Sequence, residues 1–271
     1  MLMALFSALC WACFDFLRKQ LAQQFSAPLM SIMFSLLVLP GYLIYWAWLE
    51  APLPDAAYFI PGTVSGLLAA LGSVCFIRGL AVGKIAVMLP LLSITPVVSG
   101  AFAWAWLGEP LGEAELVALA AITLGSFILQ GGRLSMAERG TGYMLVTALC
   151  WGMCIVFDKQ ALEFGSVSFH LIFLTLSVVL INSIVFRPEL PIKSILSFKW
   201  QWGCAAFVFS FAVLGQLIAL QQLQPGVMEA IKRAIGIISA AILGVYFYKE
   251  TLKRHQWFSI FVILAGTLSL Y

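Results

Sequence analysis

Long apolar runs follow one another along almost the whole chain, separated by short segments that contain charged residues, Pro and Gly. A helix that spans a lipid bilayer needs about 20 mostly apolar residues. The runs lie at about 2–22, 27–49, 57–77, 85–107, 114–130, 141–161, 167–186, 200–221, 226–248 and 256–271. The pattern therefore predicts an all-α integral membrane protein with ten transmembrane helices.

Charged residues are too scarce to cover a soluble surface. They make up 10% of the 271 residues, and apolar residues make up 62%, whereas soluble domains carry about 25% charged residues. This composition excludes a disordered chain, a nucleic-acid-binding protein with a basic surface and an ordinary cytosolic enzyme. We expect a multi-pass protein of a bacterial-type cell membrane, in contact with the lipid bilayer and not with nucleic acid.

The two halves of the chain share a sequence pattern. A-L-C-W-A-C-F-D-F-L-R-K-Q at residues 8–20 is matched by A-L-C-W-G-M-C-I-V-F-D-K-Q at residues 148–160, and L-G-E-P-L at 107–111 is matched by Y-K-E-T-L at 248–252. We therefore predict a first five-helix repeat at 1–130, a linker at 131–140 and a second five-helix repeat at 141–271. Because five is odd, the second repeat enters the membrane from the opposite side, and such inverted repeats are typical of transporters.

The loop charges predict an orientation in the membrane. Twelve of the fifteen Lys and Arg residues, Arg18 and Lys19 among them, are counted with the loops that follow odd-numbered apolar runs. By the positive-inside rule these loops face the cytoplasm, which places both termini outside.

The repeated segments at 8–20 and 148–160 resemble the W-G-x-x-F-x-x-x-K opening of EamA-type repeats in the drug/metabolite transporter (DMT) superfamily. P-V-V-S-G-A-F-A-W-A-W-L-G-E-P-L at 96–111 is similar to the fourth helix of that family and its G-E turn. The resemblance implies a carrier with ten helices in two inverted EamA-like repeats and a substrate cavity lined by helices of both halves.

Two features depart from the family pattern. Ala12 stands where the family has Gly, which exchanges one small residue for another. Ten-helix relatives usually have both termini in the cytoplasm, whereas the loop charges of this chain favour the opposite orientation. The accessibility of a tag fused after Tyr271 distinguishes the two orientations.

Three charges interrupt the apolar run of the ninth helix: Glu229, Lys232 and Arg233. A charge near the centre of a spanning helix costs about 2.5–3.5 kcal/mol on insertion scales, so three together are not expected to face lipid. The i,i+3 and i,i+4 spacings allow Glu229 to pair with either cation on one helix face.

Two interpretations of these charges remain open. They form either a structural ion pair with one snorkelling cation, or an anion site in which Glu229 compensates one cation and the other binds a carboxylate or phosphate. Lys232-Arg233, followed by I-x-S, also resembles the Lys-Arg pair in the ninth helix of the sugar-phosphate translocator branch. That resemblance implies contact with a substrate phosphate.

Further substrate-binding candidates are uncharged. Gln216 lies within the eighth apolar run, and we predict that it lines the cavity. Trp11 and Trp151 occupy matching positions in the two repeats, near the middle of their runs. They either pack in the core or line the cavity symmetrically at the repeat interface.

Other charged or titratable residues complete the set of candidates. Lys159 follows Asp158 directly, and its position in the family pattern implies a gating or binding role. Lys19 follows Asp15 by four residues, and we expect these two to form an ion pair. His170 is isolated in an apolar run and is either a hydrogen-bonded packing residue or part of a proton relay.

An enzyme is not expected. The twelve acidic residues are scattered, and the two histidines lie far apart in the sequence, whereas a membrane-embedded enzyme ordinarily needs clustered carboxylates or a His and Ser constellation. The six cysteines lie inside apolar runs and are expected to pack as small hydrophobic residues. We therefore predict no catalytic residues, no metal and no cofactor.

The sequence predicts a secondary transporter that moves a small metabolite, anionic or phosphorylated, by alternating access. The alternative is a lipid-type flippase or a channel-like protein of the same fold. The expected partners are a small-molecule substrate and the bilayer, and a homodimer stays open.

Overall fold

The computed structural model describes residues 1–83, 88, 91–129, 139–248 and 254–268. All regular secondary structure in these ranges is helical, as the apolar runs predict. The long helices are α1 (Leu2–Leu21), α2 (Ala27–Trp48), α3 (Phe59–Val82), α4 (Thr95–Leu107), α5 (Glu113–Leu129), α6 (Thr141–Leu162), α7 (Val167–Phe186), α8 (Lys199–Leu220), α9 (Pro225–Tyr248) and α10 (Arg254–Leu268). Most of the linker predicted at 131–140 lies outside the described residues.

Short helical segments connect some of the long helices. One-turn 3-10 helices lie at Ala56–Tyr58 and Leu92–Ile94, and a six-residue helix lies at Ile192–Ser197. The segment Leu92–Ile94 directly precedes α4, whose first turn contains Pro96. Proline is tolerated in a first turn, where its missing N–H removes no helical hydrogen bond, and this explains why α4 starts at Thr95.

Five stretches of the described chain are long and apolar enough to cross a membrane. These are α2, the continuous segment Ala56–Val82, α6, α7 and α8. Shorter apolar helices lie at Leu92–Leu107 and Trp257–Gly266. Helices α1 and α9 differ from these because each contains three charged residues. They are therefore the helices in which a bilayer makes side-chain charge most expensive.

The helices pack in pairs that relate the first five to the last five. Helix α1 packs along α8 and α9, and correspondingly α6 packs along α3 and α4. Three further pairs each join two helices that are five apart in the chain order: α2 with α7, α4 with α9, and α5 with α10. Exchanging each helix for its counterpart therefore reproduces the main contacts of the bundle. Helices from both halves meet around α1, α6 and α9.

Candidate functional site

A buried charge cluster lies on one face of α9. Glu229 is 1% exposed, and Lys232 and Arg233 are each 8% exposed. The Glu229 carboxylate forms ion pairs with both cations: Oε1 contacts Lys232 Nζ, and Oε2 lies 3.5 Å from Arg233 Nη2. One carboxylate therefore serves two cations, through the i,i+3 and i,i+4 spacings expected from the sequence.

Gln216 of α8 extends the cluster. Its side chain is buried, and its Oε1 accepts a hydrogen bond of 3.1 Å from Lys232 Nζ. Lys232 thus has two polar partners, Glu229 and Gln216. Arg233 is less well satisfied, because its bond to Glu229 is long and its buried Nε has no hydrogen-bond partner among the described residues. Of the two cations, Arg233 is the one left to bind another group.

The two repeat-related tryptophans lie beside these two cations. Lys232 Nζ lies 5.2 Å from the centroid of the Trp11 ring, and Arg233 Cζ lies 5.9 Å from that of Trp151. Ring faces attract cations at such distances. The indole of Trp151 is seated over Gly72 of α3, where a Cβ atom would approach its Cδ1 to 2.6 Å. The aromatic rings of α1 and α6 therefore line the charge cluster from both halves of the chain.

Arg18 of α1 is a third buried cation, which the sequence interpretation assigned to a loop. It is 4% exposed, its Cζ lies 3.8 Å above the Phe76 ring of α3, and Nη2 lies 2.5 Å from Asp15 Oδ1. The ion pair expected between Asp15 and Lys19 is therefore wrong: Asp15 binds Arg18 instead. The signal available in the sequence was the i,i+3 spacing of Asp15 and Arg18 inside an apolar run that reaches Leu21.

The charges of this cluster do not balance. In the described part of the chain, the three cations Arg18, Lys232 and Arg233 face only the two carboxylates of Asp15 and Glu229. Arg18 Nε and Arg233 Nε are buried without a hydrogen-bond partner there. An uncompensated buried charge is costly, because little solvent is present to stabilise it. The cluster can therefore offer one net positive charge and two free guanidinium N–H groups to an anion.

Lys159 does not join this cluster. Its Nζ donates to Glu109 Oε2 at 2.8 Å and to the Leu223 carbonyl at 3.2 Å. Glu109 lies in the turn after α4, whereas Leu223 lies in the turn before α9. Lys159 therefore connects the first half of the chain to the second at the end of α6, two turns beyond Trp151.

His170 belongs to a separate buried network. Its ring is fully buried, with Nδ1 2.7 Å from Tyr58 Oη and Nε2 3.0 Å from Asp158 Oδ1. The Ser65 hydroxyl donates to the same carboxylate oxygen. The hydrogen bonds expected of a packing histidine are present, but the buried carboxylate partner was not recognised in the sequence. Asp158 and His170 come together because both lie close to the short turn that joins the end of α6 at Leu162 to the start of α7 at Val167.

Comparisons with known proteins address the fold and the family. The model of the EamA-like transporter family matches residues 1–130 and 138–271. No curated protein matches the chain. The fold is similar to that of 29 chains of solved structures. One of them, titled only as the crystal structure of a protein, aligns over 99% of this chain and 96% of its own length. Its TM-score is 0.73 at 13% sequence identity, which shows a shared fold.

Proposed function

Because the chain belongs to the EamA-like transporter family, we propose that it is a secondary transporter which moves a small metabolic anion across a cell membrane by alternating access. Members of this family are membrane transporters of the DMT type and not enzymes. The substrate of this chain is a monoanion with a carboxylate or phosphate group. The observation that carries the proposal is the buried cluster with one net positive charge, at the contact of α1 with α9.

The proposal includes ten membrane-spanning helices in two inverted repeats, with both termini outside. The exchange of packing partners between α1–α5 and α6–α10 supports it. Trp11 and Trp151, which match in the two repeats, also take equivalent roles beside one cation each. An inverted repeat builds its site at the interface of the halves, and here α1, α6, α8 and α9 all contribute side chains to the cluster.

Arg233 and Arg18 are the proposed ligands of the anion. A guanidinium group presents its N–H donors in a planar fork that fits two oxygens of a carboxylate or phosphate. Glu229 and Gln216 hold Lys232 in place, while Trp11 and Trp151 exclude water from the charges. Since the three cations of the cluster are each more than nine-tenths buried, the anion reaches them only when helices of the two halves move apart. That requirement fits a carrier better than a continuously open channel.

The proposed function is tested on purified wild-type protein with a thermal-shift screen. A ligand that binds the folded state alone stabilises it by about 2.7 kcal/mol at 100 times its Kd. Carboxylated and phosphorylated metabolites are expected to raise the unfolding temperature, whereas cationic metabolites of similar size are not. Saturable uptake of the same anions into proteoliposomes is expected as well. Stabilisation by cations alone, or flux that does not saturate, contradicts the proposal and favours a different substrate class or a channel.

We further propose that the ion pair of Lys159 with Glu109 closes one entrance to the site. The pair crosses between the halves of the chain and is partly exposed, with side chains 17% and 29% accessible. Separation of the halves at this end breaks it. While the ion pair is intact, this end of the site is closed and water does not reach the charge cluster.

Removing the pair is therefore expected to shift the carrier toward opening at this end. Lys159→Met is expected to increase the labelling of cysteines placed near Trp151, and Lys159→Glu with Glu109→Lys is expected to restore wild-type labelling. The effect is modest, about 2- to 5-fold in labelling rate, because partly exposed ion pairs contribute about 1 kcal/mol or less. Unchanged labelling in Lys159→Met, or a double variant that behaves like the single one, contradicts the gate.

A further inference from the structure

The network around Asp158 and His170 is separate from the anion cluster and has no role in the function proposed above. We propose that these two residues bind a proton that enters the site together with the anion, so that the carrier couples anion transport to proton transport. This inference rests on the proposed function, because it concerns the charge that the bound anion brings.

The net charge of the Asp158–His170 pair changes only when a proton binds or leaves. Asp158 is 2% exposed, and His170 is fully buried. With Asp158 ionised, His170 Nε2–H donates to its Oδ1, and the Tyr58 hydroxyl donates to Nδ1. A proton taken up at Nδ1 forms a new N–H bond, which then donates to the oxygen of Tyr58. The pair thereby changes from one negative charge to none, while both hydrogen bonds of the ring remain.

The surroundings leave few other groups that can exchange this proton. Tyr58 comes from the one-turn helix before α3, the Ser65 hydroxyl from α3, and Cys154 from α6. Helices α2 and α7 contain no Asp, Glu, Lys or Arg, and the one such residue of α3, Arg78, lies 13 positions after Ser65. The charged residues next to the pair along the chain are Lys159, which is paired with Glu109, and the exposed Asp55 and Glu163.

Helix α6 connects the pair to the anion cluster. It carries Trp151, whose ring lies beside Arg233, and, two turns later, Asp158, whose Oδ2 lies 3.8 Å from the Cys154 thiol of the intervening turn. The two clusters therefore lie about two turns apart along one buried helix. A change of charge in one is felt by the other, because the intervening groups are buried and screen it weakly.

The sum of the buried charges explains why anion and proton bind together. In the described residues, the single excess positive charge of the Arg18, Lys232 and Arg233 cluster is matched by the ionised Asp158. A monoanion adds one negative charge to this neutral interior, and a proton on His170 restores neutrality. Because a net buried charge is costly, each ligand increases the affinity for the other by the same factor.

The test measures proton uptake during anion binding to the full-length protein. Benzoate is a suitable probe because a carboxylic acid stays ionised between about pH 6 and 8. Inorganic phosphate serves as a second probe of anion binding only, because its own second ionisation falls near this range. Calorimetry in buffers of different ionisation enthalpy is expected to show about one proton taken up per benzoate at the upper end of this range. Benzoate affinity is expected to fall by up to about tenfold per pH unit as the pH rises.

His170→Gln and Asp158→Asn are expected to bind benzoate without proton uptake and with an affinity that no longer depends on pH. Gln keeps a hydrogen-bonding group at this position, and thermal unfolding checks that each variant folds. Binding to wild-type protein without proton uptake, or unchanged uptake in His170→Gln, overturns the inference. If neither probe binds wild-type protein, the proposed anion site itself fails for these probes.

A second readout starts from the protein without anion. The chain has two histidines, so His255→Gln leaves His170 as the only imidazole in NMR spectra of the purified protein. In the free protein, His170 is expected to carry a proton at Nε2 and none at Nδ1, as its hydrogen bonds to Asp158 and Tyr58 require; benzoate is expected to add the second proton. An imidazole that is protonated at both nitrogens in the free protein overturns the inference, whatever the anion experiments show.

Discussion

Replacing Arg233 by Gln is expected to reduce anion affinity and uptake by about 10- to 100-fold. Of the buried cations in the described structure, Arg233 combines a long ion pair with a guanidinium Nε that has no partner. A hydrogen bond to a charged group contributes about 1.5–3 kcal/mol, which corresponds to that range of affinity. The measurements are benzoate and phosphate binding by calorimetry and saturable uptake into proteoliposomes.

Two further substitutions make the Arg233 experiment specific. Arg233→Lys keeps the positive charge but removes the planar fork, and an intermediate loss is expected if two substrate oxygens are bound at once. Arg78→Gln removes an exposed guanidinium from α3 and is expected to leave uptake unchanged. Folded Arg233→Gln protein with wild-type uptake refutes the anion site and leaves the interpretation as a structural ion pair.

Replacing Glu229 by Gln is expected to destabilise the protein by about 3–5 kcal/mol, which is the usual cost of removing one partner from a buried ion pair. Glu229 is the carboxylate shared by Lys232 and Arg233, so its loss leaves both cations next to Arg18. Thermal unfolding in detergent measures the change. Added anion is expected to recover part of the lost stability, because a bound carboxylate partly replaces the missing charge.

The double variant Glu229→Gln with Lys232→Gln keeps the Glu229 prediction testable when the single variant does not fold. It restores the original net charge of the cluster and is expected to be more stable than Glu229→Gln alone, so that the two changes are not additive. Glu163→Gln removes an exposed carboxylate at the end of α6 and is expected to change stability by less than about 0.5 kcal/mol. Equal stability of Glu229→Gln and Glu163→Gln contradicts the role given to Glu229.

The helices and the α9 charges could be predicted from the sequence because both depend on local patterns. Apolar runs of sufficient length specify helices in a bilayer. A charged side chain inside such a run is expected to face the protein interior and not the lipid. The same reasoning located Gln216, which accepts a hydrogen bond from Lys232. Within the apolar run predicted at 85–107, a 3-10 turn at Leu92–Ile94 precedes α4, and residues 85–87 and 89–90 lie outside the described residues.

Contacts between distant segments could not be predicted in this way. Arg18 lies over Phe76, which is 58 positions later in the chain. Tyr58 and His170 are 112 positions apart and belong to different halves of the chain. Apolar patterns identify which residues are buried, but not which polar groups meet in the interior.

Arg18 and Asp158 occupy equivalent positions in the two repeats, 140 residues apart, yet they carry opposite charges. In the inverted arrangement that we propose, equivalent positions lie on opposite sides of the bilayer centre. The two buried charges then form an electric dipole along the membrane normal. Because moving one charge across a membrane potential of 100 mV changes the free energy by about 2.3 kcal/mol, any exchange between outward-open and inward-open states that shifts these helices depends on membrane voltage.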